Sequence, residues 1–433
     1  MSASEKDMKR IVARLFRRIA QLYVRIHHPL VIAVGGSVGK TSTKLALATL
    51  LTTEKNVSCM DDSYNSGLGL YLSVFRLKVP RRSTPFAWAR LLAMALWRTL
   101  STSPDILILE YGIDNSGDMD DMVKFIRPDI SVLTAVTPEH MEFLKTIDTV
   151  GHEEAKILSA AKQYALVSSV DVDAKYYQSL NAPLVPYGSR HDDARYDIVE
   201  WKKNGAIVDF VIEDTALRAH LKIISEPTIR QISGLLWLAL KVGITHEALE
   251  KTLPTIEAAA SRLSLLRGVN GSIVIDDSAN FSPDAGVVAL QTLKRLPAER
   301  RIAVLGNMHE LGEFADAGYA DVAAEFDKLD MIVLVGDLSQ VRFKKLAEAR
   351  GYIMDKNLFI KNTSIEAGEW LRDSVLKAGD AVLVKGPFGG WYMEEAVKAM
   401  LADPKDGHKL TRQSEFWDNK KSAHFGDSYQ SAP

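Results

Sequence analysis

Residues 31–51 read VIAVGGSVGKTSTKLALATLL, an apolar run, a glycine turn and the start of an amphipathic stretch. This order constrains the fold more than any other part of the chain. A short apolar run that ends in glycines and passes straight into a helix is a strand-to-helix turn of an open α/β sheet. The backbone N–H groups of such a turn converge with the helix N-terminus to make a concave anion site. The common phosphate loop, G-x-x-x-x-G-K-[ST], would need its first glycine at Val34, so the loop here is the shorter Gly36-Ser37-Val38-Gly39-Lys40-Thr41. Gly36, Ser37, Gly39, Lys40, Thr41 and Ser42 form the expected nucleotide-phosphate site. Lys40 supplies a point charge for the outer phosphates, and the Thr41 hydroxyl is placed to hold Mg²⁺.

The same alternation continues along the chain. Apolar runs ILILE, SVLTAV, IVIDDS, RIAVLG, IVLVG and AVLVKG are separated by helical stretches. That pattern predicts an α/β fold of mostly parallel sheets covered on both faces. Between Asp197 and Ile224 two alternating runs flank Asn204-Gly205, which predicts a hairpin. Parallel strands resume after a boundary placed near Pro254 to Ser261. From Pro404 onward periodicity is lost, and residues 404–433 are expected to be a disordered tail.

Composition narrows the function classes. With a net charge of −2 over 433 residues, no global field favours nucleic acid, and none is expected as a partner. The single cysteine, Cys59, excludes an internal disulfide framework and fits a reducing, cytoplasmic setting. The N-terminus lacks the apolar core of a secretory signal, and no uncharged apolar stretch of about 20 residues is present to span a membrane.

Three residues beyond the loop carry chemistry. Glu110 ends an apolar strand, where ligands sit in open α/β sheets, and a carboxylate there is costly unless it meets water or a metal. His140 follows another strand, and Lys156 lies in the amphipathic GHEEAKILSAAK. Taken singly, a histidine or lysine in such places is most often structural or solvated. Glutamate, histidine and hydroxyl ligands together suit Mg²⁺ or Mn²⁺ rather than a structural zinc.

Order and spacing of these pieces resemble the Mur ligases, and within them the D-alanyl-D-alanine-adding branch, from about Val31 to Met400. Later motifs agree: SRLSLL with Arg262, VIDDSANFSPDAG with Asp277, Asn280 and Pro283, VLGNMHELGE, and VLVKGPFGGWYMEEAV with Lys385 and Glu394. The resemblance implies a central doubly wound ATPase-type domain (30–258) and a C-terminal Rossmann-like α/β domain (259–403). It implies an ATP-dependent ligase that forms an acid–amino acid amide bond through an acyl phosphate in peptidoglycan precursor assembly. By resemblance Thr41 and Glu110 bind a first Mg²⁺, His140 a second, and Lys156 stands where the family carries a carbamylated lysine. Arg262, Asp277 and Asn280 would meet the nucleotide, with Lys40, Glu110, His140, Lys156 and Arg262 as the catalytic set.

Three departures bear on the substrate. The family places a small UDP-gripping domain before its phosphate loop, whereas about thirty residues precede it here. Its H-N-x-x-N element reads Arg230-Gln231-Ile232-Ser233-Gly234, and its K-G-S-R reads Lys385-Gly386-Pro387-Phe388. Residues 1–29 instead predict a basic amphipathic helix. Ile11, Val12, Leu15, Phe16, Ile19, Leu22 and Tyr23 share one arc of about 140°, opposite Lys9, Arg10, Arg14, Arg17, Arg18 and Arg25. Ser63–Pro104 contains no acid and carries FAWARLLAMALW. Both segments either pack internally or meet an anionic membrane surface at 9–25 and 63–104. The expected partners are therefore a small-molecule or lipid-linked cell-wall precursor and an amino acid or dipeptide. A second reading, from another class, is an ATP-binding scaffold without ligation.

Overall fold

The computed structural model describes residues 3–65, 67–80, 84–101, 103–138, 141–309, 311–426 and 429. The strands among them are β1 Leu30–Gly35, β2 Val57–Cys59, β3 Ile106–Glu110, β4 Ile130–Leu133, β5 Tyr164–Ser168, β6 Leu184–Tyr187, β7 Ala194–Lys202, β8 Gly205–Ile212 and β9 Thr215–Leu221. A second set follows: β10 Ser264–Arg267, β11 Ile273–Asp277, β12 Arg300–Leu305, β13 Met331–Val335, β14 Leu358–Lys361 and β15 Asp380–Lys385. The first nine form one sheet in the order β2-β3-β1-β4-β5-β6-β7-β8-β9, and the rest form a second in the order β10-β11-β15-β12-β13-β14. Pairing is parallel from β2 to β7 and from β11 to β14. It is antiparallel through β7-β8-β9 and at β10-β11.

Sequence explains this arrangement directly. The central strands are apolar on both faces because helices cover both: β3 and β4 are buried at every position. The two faces of the first sheet accordingly carry separate cores, as do those of the second. The expected hairpin forms with Lys202 opposite Gly205, and Gly205 has φ 140°. A Cβ at Gly205 would fall 1.8 Å from the Leu221 carbonyl oxygen, so the turn requires glycine.

The basic helix spans Ala3–His27 and packs on the first sheet through Val12, Phe16, Ala20 and Tyr23. Only part of its predicted apolar arc is used, since Ile11, Leu15 and Leu22 remain exposed. Beside it lies the helix Pro85–Ser101. Phe16 meets Trp88 edge-on with ring centroids 6.4 Å apart, and His27 Nε2 lies 2.8 Å from the Thr99 carbonyl oxygen. Both contacts join residues 72 apart, so the helices run side by side in the same direction. No helix among the described residues is long and apolar enough to cross a membrane.

The expected disordered tail is corrected up to residue 426. Residues Pro404–Lys409 form a 3₁₀ segment and Glu415–Phe425 an α-helix. Its anchors are buried charges together with a small aromatic cluster, in which Trp417 and Phe425 pack against Tyr392. Arg412 and Lys421 are buried and meet Glu394 and Glu395, a pairing that hydrophobic periodicity cannot register.

Candidate active site

The phosphate loop joins β1 to the helix Lys40–Leu51. Gly36 and Gly39 have φ 123° and 86°. A Cβ on Gly36 would stand 2.2 Å from Thr134 Oγ1, which makes that glycine obligatory. The loop is braced from outside: Gly36 N donates to Glu154 Oε2 at 2.9 Å, Ser37 N to the Ala135 carbonyl at 2.8 Å, and Thr134 Oγ1 to the Val38 carbonyl at 2.6 Å. Gln231, in the element that departs from H-N-x-x-N, donates to the Thr134 carbonyl at 3.0 Å and so supports the loop one residue removed. No side chain caps the helix at Gly39, which leaves its first N–H groups to a phosphate. Lys40 folds back over the loop, donating to the carbonyls of Gly36 and Ser37. The hydroxyl-bearing Ser42 is half-buried one turn inside.

Thr41 and Glu110 meet at this point. The Thr41 hydroxyl lies 3.1 Å from both Glu110 carboxylate oxygens and 2.7 Å from Ser63 Oγ. Glu110 is only 2 % exposed and forms an ion pair with Lys44 at 3.0 Å; Lys44 also donates to the Asp62 carbonyl at 2.9 Å. Two hydroxyls and a carboxylate make an all-oxygen donor set, which fits Mg²⁺. Lys44 offsets the Glu110 charge, so binding of a cation here depends on the anionic phosphates beside it.

Lys156 is placed otherwise. It lies on the helix Ile147–Ala160 and pairs with Asp120 at 2.8 Å and Glu153 at 2.6 Å. Partial burial works to lower its pKa, but the bonds to the two carboxylates outweigh this and raise it. An amine must be neutral to take up CO₂, so these pairs act against carbamylation. His140 lies outside the described residues.

A second cluster forms at the carboxyl ends of β11 and β15. Lys385, buried, pairs with Asp277 Oδ2 at 2.8 Å and donates to the Asn280 carbonyl. Asp277 Oδ1 accepts from Leu263 N at 3.2 Å, next to Arg262, which is half-buried. Neighbouring Asp276 is wholly buried; burial pushes its carboxyl up to about 6 against the pull of bonds from Ser261 and Ser278. The C-terminal segment closes this cluster from behind. Arg412 makes a two-pronged pair with Glu394 at 2.9 and 2.7 Å. It also donates to the carbonyls of Phe388 at 2.6 Å and Ser278 at 2.7 Å. It thus joins the loops that follow β11 and β15. Between the halves, Arg295 Nη1 donates to Glu226 Oε2 at 2.5 Å.

The chain that carries this glycine loop and this Asp–Lys pair matches known proteins over most of its length. Residues 34–230 match the Mur ligase middle domain and residues 261–388 the Mur ligase, glutamate ligase domain. The chain belongs to the Mur ligase family. It is 23% identical over 393 residues to a UDP-N-acetylmuramoyl-tripeptide–D-alanyl-D-alanine ligase of Bacillus subtilis, covering 90% of this chain and 79% of that one. The enzyme of the same name from Escherichia coli is also 23% identical, covering 86% of this chain and 76% of the other. The fold is similar to that of a MurF ligase from Thermotoga maritima in complex with ADP, with a TM-score of 0.74, 21% identity and coverage of 92% and 84%.

Sequence reasoning missed several residues of this Mur ligase's site. Lys44 sits four residues after Lys40 on the buried side of its helix, and a lysine at an apolar-face position was the available signal. Glu154 stands in the same GHEEAK stretch as Lys156, yet it is the glutamate that reaches the loop. Nothing local marks Arg412 or Lys421, because their partners lie 18 and 26 residues away.

Proposed function

We propose that this Mur ligase is an ATP-dependent carbon–nitrogen ligase of the D-alanyl-D-alanine-adding type, extending a peptidoglycan precursor peptide. The observation that carries the reading is the convergence of the glycine loop, Lys40 and the Thr41–Glu110 pair at one sheet's carboxyl edge. The precursor carboxylate attacks the γ-phosphorus of ATP, ADP leaves, and an acyl phosphate forms. The acceptor's neutral amine then attacks the acyl carbon, phosphate leaves, and the nitrogen loses a proton to give the amide. Two anions must approach for the first step. The loop N–H groups and Lys40, turned from the Gly36 and Ser37 carbonyls onto the phosphates, offset that repulsion. Mg²⁺ held by the Thr41 hydroxyl and the Glu110 carboxylate would neutralise phosphate charge further.

Asp277, Asn280 and Arg262 are assigned to the nucleotide on the second domain, and closure over the site would shield the acyl phosphate from water. His140 and a modified Lys156 complete the assignment as holders of a second ion, on the condition that Lys156 leaves Asp120 and Glu153. The finer reading places the protein at the inner face of the cell membrane, where a lipid-linked precursor would be met through residues 9–25 and 63–104.

The test is coupled phosphate release and product mass with ATP, the UDP-linked tripeptide and D-alanyl-D-alanine. Release that needs both substrates, and is lost in Lys40→Ala, supports the reading. ATP hydrolysis indifferent to every carboxylate and amine offered would refute it.

A further inference from the structure

The two parallel helices Ala3–His27 and Pro85–Ser101 bury one stripe each and leave another uncovered. On the first, Val12, Phe16, Ala20 and Tyr23 face the core, while Ile11, Leu15, Leu22 and Ile26 are 40–58 % exposed. Beside this stripe runs a row of exposed arginines, Arg10, Arg14, Arg18 and Arg25. On the second, Phe86, Trp97 and Leu100 are 81, 64 and 84 % exposed, with Arg90 exposed beside them. From Met8 to His27 and from Ser63 to Pro104 there is no acidic residue.

Where the second helix ends, a cavity of about 640 Å³ opens toward β2, at the edge of the first sheet. Arg76, Arg98, Ser58, Ser101 and Asn56 line it together with Trp97. Its lining holds two guanidinium groups and no carboxylate; Arg98 Nη1 also donates to the Phe75 carbonyl, and Asp105, just outside, is engaged by the Asn56 N–H at 2.9 Å. Such a lining suits a phosphate monoanion or diester.

We propose that this face docks on an anionic phospholipid bilayer, with one lipid headgroup phosphate seated between Arg76 and Arg98. A protein partner would be expected to meet a compact apolar patch with a polar rim. Here an aliphatic stripe and a row of arginines run side by side along about 22 Å of helix, and neither segment contributes an acid that an anionic surface would repel. Arginine stems can lie along the apolar stripe while their heads reach phosphates, and Trp97 suits the interfacial layer. Arg17 is excluded from the contact, because it stacks over Phe125 at 5.9 Å and so faces the protein. The inference rests on the membrane-surface part of the proposed function, but binding itself needs no ligase activity.

The test is co-sedimentation of the full chain with phosphatidylglycerol–phosphatidylcholine vesicles and with pure phosphatidylcholine vesicles. Binding is expected only to the former, and falls at least tenfold when salt is raised from about 0.1 to 0.5 M, as screening weakens surface attraction. Leu15→Asp with Leu22→Asp should abolish binding without changing thermal stability, since both side chains are exposed. Arg76→Ala should weaken binding several-fold, and soluble glycerol phosphate should compete at the cavity without releasing the protein fully. Equal binding to both vesicles, or none to either, overturns the proposal. So does a self-dimer that the Leu15 and Leu22 variants dissolve while vesicle binding is absent. Lys40→Ala, inactive as a ligase, should bind vesicles as the parent does, which separates failure here from failure of the ligase reading.

Discussion

Replacing Asp276 by Asn should stabilise the protein, and the gain should depend on pH. The carboxyl is wholly buried, accepts from Ser278 N at 3.1 Å, and bonds with Ser278 Oγ and Ser261 Oγ at 2.6 Å each. Burial raises its pKa from the ordinary 3.8 to about 6. Between those values the folded chain keeps a proton that the unfolded chain releases, so stability falls as pH rises through the window. The full difference is worth about 3 kcal/mol at 1.36 kcal/mol per pKa unit. Asparagine keeps the geometry: its oxygen accepts from Ser278, and its amide donates to Ser261 Oγ, which can turn to accept. The variant carries no charge to desolvate. Its advantage over the parent should widen by about 2 kcal/mol between pH 4.5 and 7.5. At roughly 2–4 °C per kcal/mol for a domain of this size, calorimetry should show a further 4–8 °C separation in the melting of the second domain. A separation that stays constant over that range would show that Asp276 is not held near neutrality by burial, and the reasoning fails.

Lys40→Ala should lower kcat at least a hundredfold, because a point charge on the transferred phosphoryl group is lost, while the melting temperature stays put; coupled phosphate release reads the first and calorimetry the second. Glu110→Gln should lower stability, because buried Lys44 loses its carboxylate partner, and should raise the Mg²⁺ concentration needed for half-maximal activity; an unchanged metal titration would remove Glu110 from the cation site. Lys156→Ala rescued in part by a short carboxylic acid would establish the carbamate assignment; activity close to the parent's would instead leave Lys156 as the ion-pair partner of Asp120 and Glu153. Arg412→Ala should destabilise by roughly 3–5 kcal/mol, the effect of leaving a buried carboxylate short of its partner, and denaturant midpoints that match the parent's would refute the clasp.

The parallel sheets were legible because their central strands are buried on both faces, so apolar runs such as ILILE carry the assignment unaided. The phosphate loop was legible for a different reason: glycine positions and the following Lys40 and Thr41 are fixed by backbone geometry over six residues. Sites built across elements were harder to read. Lys156 is an ordinary helix lysine beside Glu153 of its own helix until the helix Asp118–Phe125 brings Asp120 to it, and, against partial burial, the two carboxylates raise its pKa. The C-terminal segment reads as aperiodic because its anchors are scattered single residues: two buried cations, Arg412 and Lys421, and the aromatic contacts of Trp417 and Phe425 with Tyr392. The basic helix was half legible, since periodicity gives an apolar arc but not how much of that arc the sheet will cover.

The connection between the domains shows why the second half of the site resists a window-by-window reading. Ser261 and Leu263 have φ 56° and 55°, conformations that side-chain-bearing residues adopt at a cost of about 1–3 kcal/mol each. Bonds from the first strand of the parallel set hold them there. Ser261 Oγ donates to Asp276 Oδ2 at 2.6 Å and Leu263 N to Asp277 Oδ1 at 3.2 Å, so the backbone on both sides of Arg262 is tied to adjacent carboxylates. Asp277 also holds Lys385. One carboxylate therefore sets the position of the linker arginine and of the strand-end lysine together. A change at Asp277 that keeps its volume, such as Asn, should then disturb both positions at once, and their separation in sequence, 262 against 385, hides that coupling until the chain is folded.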